Sequence, residues 1–158
     1  MVKRYYNATV STKATKKAAK SKAIGANVSL KYSTELCNYL KGKSLKWSES
    51  FLQDVLAKKR YVPLKRYNKK VAHRKGTTLR GAKAGRFPTK TIRAFQKLLG
   101  NAKANADYKG LDTEKLVVWH AFASQAFARR STQSQGRLGG KVRKRKSAHL
   151  EVILMETR

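Results

Sequence analysis

Three histidines, His73, His120 and His149, and a single cysteine, Cys37, are the side chains of this sequence best suited to proton transfer, nucleophilic attack or metal binding. Their surroundings offer no such work. The histidines fall in a loop and in two strand-like stretches, with no carboxylate placed to orient any of them as a base. His149 heads a strand and points at the sheet edge or at a nucleic-acid ligand, while His120 reads as packed in the sheet. A lone cysteine excludes an internal disulfide and a multi-cysteine zinc site, and it fits a reducing, intracellular setting. Asp107, Asp112 and Glu114 are the nearest thing to an acidic cluster. Two-metal hydrolysis needs carboxylates that converge on one point, and helix capping and solubility account for these three more simply. No phosphate-cradling glycine loop, nucleophile elbow or metal-ligand spacing is present. The chain reads as a protein that is not an enzyme, with no cofactor and no metal.

The chemistry that is present is charge. Thirty-eight Lys and Arg face eight Asp and Glu, a formal net charge of +30 over 158 residues. Like charge of that size opposes compaction, and a polyanion that neutralises it is the simplest remedy, RNA or DNA phosphates being the commonest. A membrane surface is the rival, but there is no apolar run of spanning length and no surface-seeking amphipathic helix. Met1–Lys22 also lacks the apolar middle of a secretory signal. With 41% hydrophobic residues, two Trp, seven Tyr and five Phe, the chain has enough apolar material for a core.

The cations are concentrated in three places. Residues 1–25 are lysine-rich and aperiodic, an extended arm ordered when bound. The stretch Leu64–Phe87 carries Lys65, Arg66, Lys69, Lys70, Arg74, Lys75, Arg80, Lys83 and Arg86, and no acidic residue occurs between Asp54 and Asp107. Tyr67 and Phe87 in this stretch either stack on bases or pin the loop to the core, and the sequence leaves both readings open. Residues 128–146 carry Arg129, Arg130, Arg137, Lys141, Arg143, Lys144, Arg145 and Lys146 among Ser, Gln and Gly, again without an acid.

Between these lie the elements that must hold them. Alternation over Ala26, Val28, Leu30 and Tyr32 predicts a strand. Ser33 or Thr34 caps a short helix bearing Leu36, Tyr39 and Leu40, which Gly42 ends. A second helix starts near Ser48 and runs out at Val62-Pro63. Pro88 opens a long helix with Ile92, Phe95, Leu99, Ala102 and Ala106 on one stripe and Gly110 as its stop. Leu116–Phe127 and His149–Glu156 read as strands. The expectation is an α+β fold: a small antiparallel three-stranded sheet on about three helices, a long protruding basic hairpin over 116–156 with its tip at 128–146, and an N-terminal arm over 1–25. The folded domain is 26–158, with the basic loop 64–87 inside it. Each arm of the hairpin reaches on the order of 50 Å. A floppy solvated loop is the alternative for its far part, opposed by the strand pattern on both flanks. Gly136, Gly139 and Gly140 permit tight turns and close backbone approach to a partner.

Several stretches together resemble one family: Lys41-Gly42-Lys43, Lys103-Ala104-Asn105-Ala106, Gly136-Arg137 and Ser147-Ala148-His149-Leu150-Glu151-Val152-Ile153-Leu154. The chain resembles, over about residues 24–157, the universal large-subunit ribosomal protein numbered twenty-two in bacteria and seventeen in eukaryotes. Val62–Asn68 and Gly85-Arg86-Phe87-Pro88 resemble the insertion of its archaeal and eukaryotic branch. Thr132 and Gln133 stand where eukaryotic relatives tend to have an aromatic residue and an arginine, and Lys69 and Lys70 replace a glycine pair. The resemblance implies a structural role: binding to large-subunit ribosomal RNA by the loop and hairpin cations named above, with the body near the exit of the nascent-chain tunnel. It further implies that the hairpin lines the tunnel, with Gln133, Ser134, Gln135, Gly136, Arg137 and Leu138 at the inner tip facing the nascent polypeptide. Neighbouring large-subunit proteins are the other expected partners; no membrane contact and no homo-oligomer are expected. The expected place is the cytoplasmic ribosome, with nucleolar assembly if the source is eukaryotic. From charge alone, a free-standing nucleic-acid-compacting protein is the alternative, and a basic nuclease a third.

Overall fold

The computed structural model describes residues 6–11, 15–75, 82–137 and 139–157. Its centre is a three-stranded antiparallel sheet in the order β1 (Ala18–Ala26), β7 (Ala148–Glu156), β4 (Leu116–Gln125). The middle strand β7 is buried from Leu150 to Leu154, so its sequence is a nearly unbroken apolar run. Leu150, Val152 and Leu154 meet Ala19 of β1 and Leu116, Val118, Ala121 and Ala123 of β4 in the core. Three helices cover that face: α1 (Leu30–Leu40), α2 (Leu45–Leu56) and α3 (Thr89–Tyr108). No helix among the described residues is long and apolar enough to cross a membrane.

The α+β class, the three helices and the two long closing strands are as the sequence indicates. The first strand is not. Residues 26–32 hold only the last residue of β1, and α1 begins at Leu30 after Ser29. Four alternating residues fit a strand, but Leu30, Ser33, Leu36, Cys37 and Leu40 also recur at three- and four-residue steps, and that helical stripe is the side that is buried or half-buried. Ser33 and Thr34 are not the cap. They lie within the helix, their hydroxyls donating back to the Ser29 and Leu30 carbonyls at 2.8 and 2.9 Å.

The missing strand lies inside the stretch read as an extended arm. β1 pairs Ala19, Ser21 and Ala23 with Leu154, Val152 and Leu150, and these small side chains admit α3 close to the backbone. Asn105 Nδ2 donates to the Lys20 carbonyl at 2.9 Å and Lys109 Nζ to that of Ala18 at 2.7 Å. The folded body therefore starts near Ala18, not Ala26. Farther out, Tyr6 and Asn7 also lie on the body: the Asn7 backbone N–H donates to Glu151 Oε2 at 2.9 Å, and the Tyr6 ring sits below the Lys20 and Lys22 ammonium groups.

Helix α2 starts one turn before Ser48, with the Ser44 hydroxyl accepting from the Trp47 N–H at 3.3 Å, and stops at Leu56 rather than at Val62. Val62–Pro63 (β2) pairs instead with Gly85–Arg86 (β3) to close the base of the basic loop. Gly85 must be glycine there, because a Cβ would run into the Tyr61 ring. Helix α3 has the expected buried stripe, with Leu98 added. Trp119 is a bulged residue in β4, standing between the Val118–Leu154 and His120–Ile153 pairs. The Lys41-Gly42-Lys43 turn fits beside that bulge: the Gly42 N–H donates to the Val118 carbonyl and the Val118 N–H to that of Lys43, at 2.8 and 2.9 Å. Gly42 adopts φ 80° to do so, so this stretch closes the outer edge of the sheet.

Cys37 faces the core from α1, and burial pushes its thiol up to about 12. The reactive thiolate is therefore absent at pH 7 to 9. Iodoacetamide is expected to leave Cys37 unmodified in the folded protein and to label it within minutes in denaturant. Native labelling at the rate of a free thiol would refute this burial.

Candidate nucleic-acid interface

Beyond the sheet the hairpin continues as a separate two-stranded ribbon, β5 (Arg129–Thr132) against β6 (Val142–Arg145). Its register sets Arg129 opposite Arg145, Arg130 opposite Lys144 and Ser131 opposite Arg143. Like charges directly opposed across a ladder destabilise it, and a lone two-stranded ribbon is marginal in water to begin with. Since neighbours along a strand face opposite ways, Arg129, Arg143 and Arg145 share one face and Arg130 and Lys144 the other. Both faces are cationic and exposed. The ribbon itself brings no anion to either face.

The tip is closed by bonds from the Gly140 N–H to the Gln133 carbonyl (2.8 Å) and from the Gln133 N–H to the Lys141 carbonyl (3.2 Å), with the Gly139 N–H bonded to the Gly136 carbonyl inside them. Gly136 and Gly140 both adopt the left-handed region, at φ 80° and 77°. Ser134, Gln135, Arg137 and Lys141 are exposed and Gln133 is half-buried. Leu138 lies outside the described residues, as does Arg80 of the loop.

The described parts of the loop, 64–75 and 82–87, are tied down by hydrogen bonds. Glu35, buried in α1, accepts the backbone N–H groups of Arg66 and Tyr67 at 2.7 Å each and of Lys65 at 3.2 Å. One carboxylate thus fixes the start of the loop while the Lys65 and Arg66 side chains remain exposed. Farther on, His73 bridges Ala84, and the Arg74 N–H donates to the Lys83 carbonyl at 2.9 Å. Lys69, Lys70, Arg74, Lys75 and Lys83 are exposed. Arg86 is half-buried, its Nη1 donating to the Gly85 carbonyl. The two aromatic residues diverge. Phe87 packs against the core beneath Arg74, the pinning role. Tyr67 is half-buried with the Arg66 guanidinium and the Lys31 ammonium at its ring, 5.5 and 5.6 Å from the centroid. Lys31 and Tyr32 of α1 join Arg66, Tyr67 and Lys69 around an open recess of about 380 Å³.

The histidines do not converge. His73 is in the loop; His149 accepts the Gly25 N–H on Nδ1 at 3.1 Å, a sheet-edge role. His120 is half-buried in β4 between Trp119 and Phe122, its Nε2 buried without a partner among the described residues. Burial, and after it the Lys41 charge, hold its pKa below the ordinary histidine value. Asp112 caps a short 3-10 helix by accepting the Glu114 N–H, as read. No group of three His, Cys, Asp or Glu among the described residues is placed to hold a metal.

Sequence reasoning missed Glu35, Glu151, Lys31 and Phe127. A signal existed for Glu151, which sits within the apolar run Leu150–Leu154 in a chain with only eight acids; Glu35, between Thr34 and Leu36, had none so plain.

The model of a family described as Ribosomal protein L22p/L17e matches residues 19–155, from β1 to the end of β7. The Large ribosomal subunit protein uL22 of Methanothrix thermoacetophila is 38% identical over 140 residues, 89% of this chain and 91% of its own. That of Methanococcus vannielii is 41% identical over 142 residues, 89% and 90% of the two chains. That of Archaeoglobus fulgidus is 44% identical over 109 residues, 69% of each. A match over the whole folded body and at this level of identity means that the chain belongs to the L22p/L17e family of ribosomal proteins, which are structural components rather than enzymes.

Proposed function

We propose that the protein is a structural constituent of the large ribosomal subunit that binds its ribosomal RNA through the basic loop and hairpin. Its body would sit near the exit of the nascent-chain tunnel, with the hairpin lining the tunnel wall and its 133–138 tip beside the nascent polypeptide and neighbouring proteins. The observation that carries the reading is the ribbon register: Arg129–Arg145 and Arg130–Lys144 are opposed like charges on a segment that, among the described residues, is bonded only to itself. Phosphates on both faces remove that repulsion. Family membership supplies the particle, because the relatives are named as large-subunit proteins. These relatives are archaeal, and archaea have no nucleolus, so a nucleolar assembly stage has no support in them. The ribosome places the protein in the cytoplasm.

A sucrose gradient tests this. Tagged protein is expected to co-sediment with large subunits at moderate salt and to leave them only as salt rises steeply. Recovery in light fractions at moderate salt, apart from large subunits, would sink the proposal.

A further inference from the structure

The hairpin is not continuous. The sheet ends with Gln125 opposite Ala148 and the ribbon resumes with Arg129 opposite Arg145. Residues 126–128 on the outgoing strand therefore face only residues 146–147 on the return. An extra residue on one strand bends a ladder, and this elbow is fixed by the Ala126 N–H on the Ser147 carbonyl at 3.0 Å and the Ser147 hydroxyl on that of Phe127 at 2.7 Å. The bend throws the Phe127 ring outward, 83% exposed. It stands over an open recess of about 630 Å³ lined by Gln125, Phe127, Ala128, Arg130, Lys144 and Lys146.

These groups are complementary to one kind of ligand. A large apolar ring held in water is unfavourable and gives a flat face for a base. The Gln125 amide offers both a donor and an acceptor to a base edge. Arg130, Lys144 and Lys146 supply three cations with no acid among the lining residues, which suits phosphates and repels a basic protein partner. Unpaired bases splayed from loops and bulges are what proteins bind on such aromatic platforms.

We propose that the elbow is a one-nucleotide site, in which a single unstacked RNA base lies on the Phe127 ring while Arg130, Lys144 and Lys146 hold its flanking phosphates. This rests on the ribosomal-RNA reading above and deepens it. The remainder of the hairpin meets backbone phosphates, whereas the elbow takes a base and so sets the register in which the hairpin enters the RNA.

The test uses assembled large subunits carrying a photoreactive benzophenone side chain at position 127 in place of Phe127. Illumination is expected to join it to one unpaired nucleotide of the large-subunit RNA. Crosslinks to a neighbouring protein, to nucleotides within a continuous duplex, or to nothing would overturn the site. Ring chemistry is checked with the purified chain and an RNA hairpin carrying a single bulged 2-aminopurine. The wild-type protein should quench that base, Phe127→Trp should keep the quenching, and Phe127→Leu should lose it together with about tenfold in affinity. Equal behaviour of the Leu variant would show that stacking is not involved. Failure to co-sediment with large subunits would remove the ribosomal reading itself. A protein crosslink within intact subunits would remove only the elbow site.

Discussion

Glu35→Ala is expected to lower the melting temperature by roughly 10 °C, equivalent to about 3–4 kcal/mol for a chain of this size. The carboxylate is 3% exposed and accepts three consecutive backbone N–H groups, from Lys65, Arg66 and Tyr67. Hydrogen bonds to a charged group contribute about 1.5–3 kcal/mol each, but the three share one acceptor and their donors are only partly buried. Water reaches the donors once the carboxylate is gone, which brings the total below the sum. Glu35→Gln, which keeps one acceptor oxygen but turns an NH₂ toward an N–H, should lose about half as much. The loop should also come loose, so trypsin is expected to cut after Lys65, Arg66 and Lys69 faster in the alanine variant. A melting temperature within 2 °C of wild type, by circular dichroism, with unchanged cleavage would contradict this role.

Glu151 is used in the same way in the central strand of the sheet. It is 2% exposed at the centre of the sheet, accepts the Asn7 N–H and pairs with Lys22 at 3.4 Å. A buried carboxylate without partners costs several kcal/mol; here each is surrounded by donors from a basic segment. In a chain of net +30, an acid on the surface would weaken the attraction for phosphates. Turned inward, Glu35 holds the basic loop and Glu151 the N-terminal residues, and neither dilutes the outer charge.

What could be read from the residues followed the strength of each pattern. Helix α3 and the strands β4 and β7 repeat their apolar positions over many residues, and the structure places them where the sequence does. The period-two stretch Ala26–Tyr32 is short enough to satisfy two periods, and tertiary packing selected the helical one. Strand β1 was hidden because its inward residues, Ala19, Ser21 and Ala23, are small, so that α3 lies close to them; a strand chosen for small size carries no hydrophobic signal. The hairpin cations were visible from composition alone. Their opposition across the ladder was not, because register depends on where the tip turns. The elbow at Phe127 escaped for the same reason: a one-residue mismatch between two strands exists only once they are paired.

Replacing Arg129–Arg145 by a short Gly-Ser turn should leave the body folded while removing most of the salt-dependent affinity for RNA. The described residues of the segment add nothing to the core cluster, and its ribbon packs chiefly on itself. Each opposed like-charge pair costs roughly 0.2–1 kcal/mol, so the melting temperature of the free protein should stay within about 2 °C or rise slightly. Binding behaves oppositely. The segment holds seven cations, and each one that meets a phosphate contributes about 0.7–0.9 to the slope of log affinity against log salt. If both faces of the ribbon are engaged, filter binding to large-subunit RNA between 0.05 and 0.5 M salt should show the slope falling by at least about three. Affinity near physiological salt should drop on the order of a hundredfold. Residual binding should persist through the loop, whose cations the replacement leaves in place. Neutralising one face alone, Arg130 and Lys144 or Arg129, Arg143 and Arg145, separates two ways of holding the ribbon. Partial losses from each face mean RNA on both sides, whereas loss from one face only would mean that the hairpin lies against a single surface. Global unfolding of the shortened chain would show instead that the ribbon is needed by the body, and the division between a neutral core and a charged extension would have to be abandoned.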